Sequence, residues 1–417
     1  MSDEGKWDVS RVAHGAKWDV GVVGAGPGGL STAHELQKTG KFNITVFEAG
    51  SQVGGRASTR VKDGLAFDRG ANFYVLKYKS TEEAARELGL GSLWQVLPQE
   101  PEHYTVRDGK LCLLTIPSVW SLFRLNTLSI KSQFRLIKMF WSVGKKCKGL
   151  NWFDLASLPV ELNTTNAYDY VAKHADQQVA DYIIDAFTSM YQFHSAREMS
   201  LAAMFALMGM MVNDSGGFVR CHVKGGEMSA IPEAYAKGLD VRLNHLIDEV
   251  RSDGCRLLVV SSGGQTHTFD KVVMATTADV ARKIYITPSD NQKRFLDSVE
   301  YAATVNVSFK IPIGTLKGIA CVAVPFCENS VISEYTNEEL KGISSNGKTL
   351  VNVGLHEGAA REIIGKSNEE IFSFVKGELL KVCPPLKGNA SLLENHDLER
   401  WPAAMPKFSQ RFVDEAI

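Results

Sequence analysis

The stretch VGVVGAGPGGL (residues 20–30) ends an apolar run on three spaced glycines, Gly24, Gly26 and Gly29. This spacing suits pyrophosphate binding when the glycines follow a strand and open a helix. Trp18 to Val23 reads as a buried parallel strand. Gly24-Ala25-Gly26-Pro27-Gly28-Gly29 turns the chain, Leu30 to Lys38 has helical character, and Phe42 to Phe47 is a second strand. Glu48, followed by Ala49, stands where an acid accepts hydrogen bonds from an adenosine ribose. Gly24 permits the tight turn, Gly26 lets a pyrophosphate approach the backbone, and Gly29 lets helix pack on strand. The helix N-terminus adds free N–H groups and partial positive charge. The alternative is a plain glycine turn.

A second group follows at once. AGSQVGGRASTR carries Gly54, Gly55 and Arg56, and LAFDRGANFY carries Asp68, Gly70, Ala71 and Asn72. A nicotinamide site does not need a glycine pair and an arginine just after the ribose acid. They suit a longer ligand, the glycines passing close to a pyrophosphate and Arg56 neutralising it. A glycine-rich hairpin with a surface arginine is the competing reading.

The sequence of GxGxxG, acid, GGR and D-x-G-A resembles the FAD-dependent amine oxidase superfamily, which includes monoamine oxidases, protoporphyrinogen oxidases and phytoene desaturases. VKGGEMSAIPEAYAKGLDVRLNHLIDEV, with Gly225-Gly226, extends the resemblance, as do the strands RLLVVSS and HTFDKVVMATT and the segment ERWPAAMPKF with Trp401 and Pro406. It runs from about residue 18 to 410. It implies FAD as cofactor, Ile247 meeting the adenine through its backbone, and Ala275 in a stretch returning to the flavin. It also implies an α/β fold, a Rossmann-like, glutathione-reductase-like FAD-binding domain interleaved with a mixed α+β substrate domain. The expected spans are 15–75 and 220–290, plus 396–417, for FAD, and 76–219 and 291–395 for substrate.

Two departures shape the functional expectation. Monoamine oxidases carry a flavin-facing lysine on a strand leading to K-x-P. Here TVNVSFKIP places Thr304 at that position, which shifts weight from amines towards desaturase and porphyrinogen-oxidase chemistry. Relatives also continue past the tryptophan–proline signature with a glycine-rich segment, whereas this sequence stops at Ile417. A truncated, non-catalytic relative with weak FAD binding is therefore one alternative. A flavin-dependent isomerase of unsaturated lipids, with no net redox change, is another. The leading expectation is an FAD-dependent oxidoreductase passing a hydride equivalent from a small apolar or amphipathic substrate to flavin N5, with oxygen or another acceptor reoxidising it. No catalytic residue is assigned.

The elements that would position a substrate are less distinct. Leu111 to Leu150 holds seven lysines and arginines and no acid. Ile130, Phe134, Ile137 and Trp141 recur on one helical face, with Lys131, Arg135 and Lys138 beside them. The expected arrangement packs this face on the core and solvates the basic one. Peripheral membrane contact through 118–150 is the sharper alternative. Met190 to Met211 holds six of the eleven methionines, suited to a substrate tunnel or to a buried helix. YQFHSARE offers Tyr191, His194 and Arg197, with His194 expected to be structural. The acidic patches NEEL and SNEE read as solvated helix starts.

Composition excludes several classes. The 417 residues suit two domains, and a net charge of -1 argues against a general nucleic-acid binder. The seven scattered cysteines form no CxxC and read as free thiols. The first twenty residues lack a signal-peptide core, so a cytoplasmic or other reducing intracellular location, without secretion, is expected. No metal-ligand spacing, nucleophile elbow or P-loop is found.

Overall fold

The computed structural model describes residues 17–76, 78–97, 102–114, 126–146, 150, 159–212, 219–225 and 227–416. Gly226, and residues 118–125 and 147–149 of the basic segment, lie outside them, as do the side chains of Met210 and Met211. The chain forms two compact units.

The first unit takes the chain up to Ser58, with Glu83–Ser92 and Met228–Asp297. Its centre is a four-stranded parallel sheet in the order Asp240–Arg242, Phe42–Phe47, Trp18–Val23, Lys271–Met274. Val20, Val22 and Val46 are buried in it, and Leu30 and Ala33 of the helix Pro27–Lys38 pack against them. Valine-rich strands buried on both faces explain why the opening run is continuously apolar. A three-stranded antiparallel sheet, Ile247–Asp253, Arg256–Ser261 and Thr266–Phe269, completes the unit.

The second unit takes Thr59–Glu82, Leu93–Glu227 and Ser298–Ile417. Its seven-stranded sheet runs Glu394–Pro406, Tyr301–Pro312, Lys348–Leu355, Ile332–Asn337, Ile319–Ala323, Glu102–Arg107, Lys110–Leu113. All pairs are antiparallel except Ile319–Ala323 with Glu102–Arg107. The helix Asn368–Val382 buries Ile371, Phe372, Val375 and Leu379 against this sheet. The boundaries differ from the expected spans: 59–75 and 396–417 belong to the second unit, because the hairpin Thr59–Asp68 and the final strand bond to its elements.

Two expectations are corrected here. In the helix Ile130–Lys146, Ile130, Phe134 and Trp141 are 71%, 58% and 73% exposed. The buried face is instead Ser132, Gln133, Leu136, Met139 and Val143. Two polar residues are accepted inside because Ser132 Oγ donates to Asp176 (2.7 Å) and Gln133 Nε2 to the Leu128 carbonyl (3.1 Å). NEEL is not a solvated helix start, since Asn337 and Glu338 are buried. SNEE is one: Ser367 and Glu370 form a reciprocal capping box on an exposed turn. The methionine-rich helix Leu201–Val212 is buried from Leu201 to Met208, the arrangement of a core helix. No helix among the described residues is long and apolar enough to cross a membrane.

Candidate functional site

Each unit presents a site of its own. In the first, the chain leaves the strand Trp18–Val23 through Gly24, at φ +106°, where a Cβ would lie 2.8 Å from the Ala275 carbonyl oxygen. A Cβ on Gly29 would lie 2.1 Å from the Gly24 carbonyl oxygen and 3.0 Å from the Ala275 methyl. No side chain fits either place, so the turn and the close seating of the helix both require glycine. Ala275 sits against both glycines, its N–H bonded to the Val23 carbonyl at 2.8 Å. At Gly26 and Gly28 a Cβ would meet nothing within 4 Å, so these positions form an open surface.

Three bonds brace that surface. The Ala25 N–H donates to Glu48 Oε2 (2.9 Å), the Gly50 N–H donates to Glu48 Oε1 (2.8 Å), and the Gly54 N–H donates to the Ala25 carbonyl (2.8 Å). Each Glu48 oxygen keeps a lone pair for a further donor. Gly55 brings the second glycine turn against the first, its Cβ position 3.5 Å from Gly26 Cα, and Arg56 follows half-buried. Pro27 at the helix start removes one N–H, no side chain caps the helix, and its first turn holds no acid. An uncapped, acid-free N-terminus over open glycine backbone fits an anionic pyrophosphate. Ala49 is exposed beside Glu48, and Ile247 is 4% exposed with its side chain in the core. This unit also brings His34, Glu35 and Glu87 together, but the Lys38 ammonium bonds both carboxylates at 3.0 and 2.5 Å.

The second unit holds a cleft lined by Asp68, Gly70 and Asn72, by Phe193, and by Asn306, Glu334 and Asn352 from the large sheet. Gly70 and Asn72 thus belong to this cleft, while Ala71 between them is exposed. The loop is held on its backbone: Asn306 Nδ2 (2.8 Å) and Trp401 Nε1 (2.7 Å) both donate to the Arg69 carbonyl. Arg69 itself pairs with Glu399 at 2.6 Å.

Beside the loop lies a buried ion triad that sequence reasoning missed. Lys341 Nζ is 3.0 Å from Asp68 and 2.7 Å from Glu338, all three side chains being at most 4% exposed. Thr59 Oγ1 donates to Asp68 (2.7 Å), and Thr336 Oγ1 (2.6 Å) and Asn72 Nδ2 (3.2 Å) donate to Glu338. Burial works against every charge here. It prevails at Asp68, whose carboxyl is raised, while Lys341 and the donated bonds hold Glu338 below its usual value. Lys341 is raised in return, the two carboxyls outweighing burial. Glu334 stands apart from these bonds, and burial pushes it up to about 8. Gly354 makes room for it, since a Cβ there would lie 3.0 Å from Glu334 Cγ.

His194, Arg197 and Thr304 lie outside the lining of this cleft. His194 is 1% exposed, lowered by burial, and bonded through Nδ1 to the Ser195 carbonyl at 3.0 Å. Arg197 stacks on the Tyr168 ring at 3.3 Å. Thr304 is 1% exposed, and Lys310 on the same strand pairs with Asp63 at 2.8 Å. Phe193 holds a left-handed φ of 59° at the cleft edge, a conformation unusual for a bulky residue. The six described cysteines are all free. Of the cleft residues, Asp68 already stood in the D-x-G-A motif, whereas Asn306, Glu334 and Asn352 had no signal.

The family model for flavin containing amine oxidoreductase matches residues 27–414. Protoporphyrinogen oxidase 2 of Arabidopsis thaliana is 30% identical over 168 residues, 40% of this chain and 31% of that protein. The chain therefore spans about a third of that relative. Coproporphyrinogen III oxidase of Bacillus subtilis is 20% identical over 438 residues, 94% of this chain and 88% of that protein. A putrescine oxidase solved with putrescine superposes with a TM-score of 0.72 at 19% identity, over 92% of this chain and 84% of that one. The fold is thus the expected α/β architecture, a Rossmann-like parallel sheet plus a mixed substrate-domain sheet.

Proposed function

Because the chain belongs to the flavin-containing amine oxidoreductase family, we propose that it is an FAD-dependent oxidoreductase acting on a small apolar or amphipathic molecule. FAD, when bound, supplies a hydride acceptor and returns the electrons to oxygen or another oxidant. The carrying observation is the uncapped helix start over the open backbone of Gly26 and Gly28, with Glu48 braced through the Ala25 N–H. In this reading Gly24 and Gly29 shape the turn, and Gly26, Pro27, Gly28, Gly54 and Gly55 give the pyrophosphate unobstructed backbone. Glu48 takes the ribose hydroxyls with Ala49 alongside, and Arg56 adds positive charge. Ile247 meets the adenine, and Gly70, Ala71, Asn72 and Ala275 serve the flavin end. Spans 15–75, 220–290 and 396–417 remain the proposed FAD segments as a functional division, distinct from the compact units.

The substrate reading favours porphyrinogen-like or desaturase-like chemistry over amines. Thr304 and Asn306 are neutral, and the lysine of their strand is engaged with Asp63. The sequence likeness to protoporphyrinogen and coproporphyrinogen oxidases points the same way. The test is anaerobic mixing of the FAD-loaded protein with porphyrinogens, polyenes and amines. Bleaching by a porphyrinogen or polyene, reversed by air, supports the reading; bleaching by amines alone overturns the substrate class.

The exposed Ile130, Phe134 and Trp141, with exposed Lys131 and Lys138 beside them, favour peripheral contact with an anionic membrane surface. Co-sedimentation with phosphatidylserine vesicles, lost in W141E, tests this; equal sedimentation of the variant refutes it.

A further inference from the structure

One charged residue of the second unit is absorbed by neither the ion triad nor the fold. Arg220 opens the strand Arg220–Val223, is 6% exposed, and forms no ion pair among the described residues. Its guanidinium carbon lies 5.7 Å from the centre of the Phe73 ring. Phe73 meets Tyr191 edge-on at 5.9 Å, and Phe187 lies 4.4 Å from Tyr191. The charge of Arg220 is felt by His103, Tyr191, Cys321 and Glu334.

Those neighbours do not supply a counter-ion. Burial, then Arg220, lowers His103 to about 4, and burial raises Tyr191 well above its usual range and Cys321 to about 12. All three are neutral at pH 7. Glu334 is the carboxyl that feels Arg220, and burial keeps it protonated into the neutral range. A guanidinium withdrawn from water without an anion carries a large desolvation cost. Such a group is retained where an anion arrives with a ligand.

We propose that Arg220, with the rings of Phe73, Tyr191 and Phe187, forms a subsite for a carboxylate borne on an apolar, ring-containing body. The guanidinium takes the carboxylate oxygens and the aromatic side chains take the body. One guanidinium balances one negative charge, so a carboxylate fits and a phosphate dianion leaves a charge uncompensated. This subsite rests on the reading of the second unit as the substrate-binding one.

The experiment is calorimetry of the full chain with 2-naphthoate, 2-naphthylmethanol and inorganic phosphate, on wild type, R220M, R220K and E334Q. The wild type is expected to bind naphthoate at least ~30-fold tighter than the alcohol, the worth of a charge-assisted contact. R220M removes that preference, R220K keeps part of it, and E334Q keeps most of it. R220M is also expected to melt no lower than the wild type, because the uncompensated cation is gone; a merely structural arginine would lower the melting temperature. Equal binding of acid and alcohol by the wild type overturns the proposal, as does a preference that survives R220M or phosphate binding as tight as naphthoate. If R220M fails to fold, the wild-type ratio and R220K decide. Flavin absorbance of the same preparations separates the two readings. Naphthoate preference without flavin leaves the subsite standing and removes the flavoenzyme, and flavin without preference removes the subsite alone.

Discussion

In the first unit's cradle, a ligand would meet backbone N–H groups, bare Cα positions and one acid, all from residues 24–56. In the second unit's cleft it would meet side chains drawn from residues 67–354, with charges held against burial by one another. The first site is made by leaving side chains out, and its failure mode is steric. The second is made by placing charges where water is scarce, and its failure mode is electrostatic. The contrast predicts different responses to substitution.

The largest effect is expected in the cradle. Gly29→Ala puts a methyl 2.1 Å from the Gly24 carbonyl oxygen, a contact that only backbone movement relieves. The expected product is insoluble or carries no flavin, read from absorbance and yield; normal flavin content would show that the seating is looser than described. Next is Lys341→Met, which strands the Glu338 carboxylate and Asp68 in the interior. Removing one member of a buried ion group costs about 3–5 kcal/mol, measured by urea unfolding, and K341M/E338Q should recover part of it. A loss below ~1 kcal/mol would mean that water reaches the triad. Glu48→Ala removes the acceptor for the Ala25 and Gly50 N–H groups and the proposed ribose contact. FAD affinity should fall by roughly one to two orders of magnitude in titration, with a smaller effect on folding than K341M.

The smallest effect is a pH dependence confined to the cleft. Glu334 titrates at about 8 in the folded protein and near ~4.3 when unfolded. The folded state therefore binds more protons between these values, so its stability falls as pH rises through that window and is fully retained below it. Glu334→Gln should flatten this slope and be more stable than wild type above pH ~8. Identical slopes in the two proteins would place Glu334 in contact with bulk water.

Legibility in the sequence follows the same division. A site built from backbone needs glycines at fixed spacing beside a strand and a helix, so Gly24, Gly29 and Glu48 carried it openly. The cleft had no comparable signature. Ile332–Asn337 is buried at almost every position, so no alternation marked Glu334 as facing a cleft. NEEL followed by Lys341 reads as an exposed i, i+3 pair until Asp68 is brought to it from a distant strand. The helix Ile130–Lys146 misled for another reason. It carries two apolar stripes, and periodicity alone does not say which one turns inward; Ser132 and Gln133 go inside because Asp176 and the Leu128 carbonyl receive them.

The most direct measurement of the central claim is the absorption spectrum of the purified chain, before and after addition of FAD, with the released cofactor identified after denaturation. The account predicts bands near ~370 and ~450 nm and release of FAD, lost on Gly29→Ala. A colourless protein that gains no such bands with added FAD would contradict it.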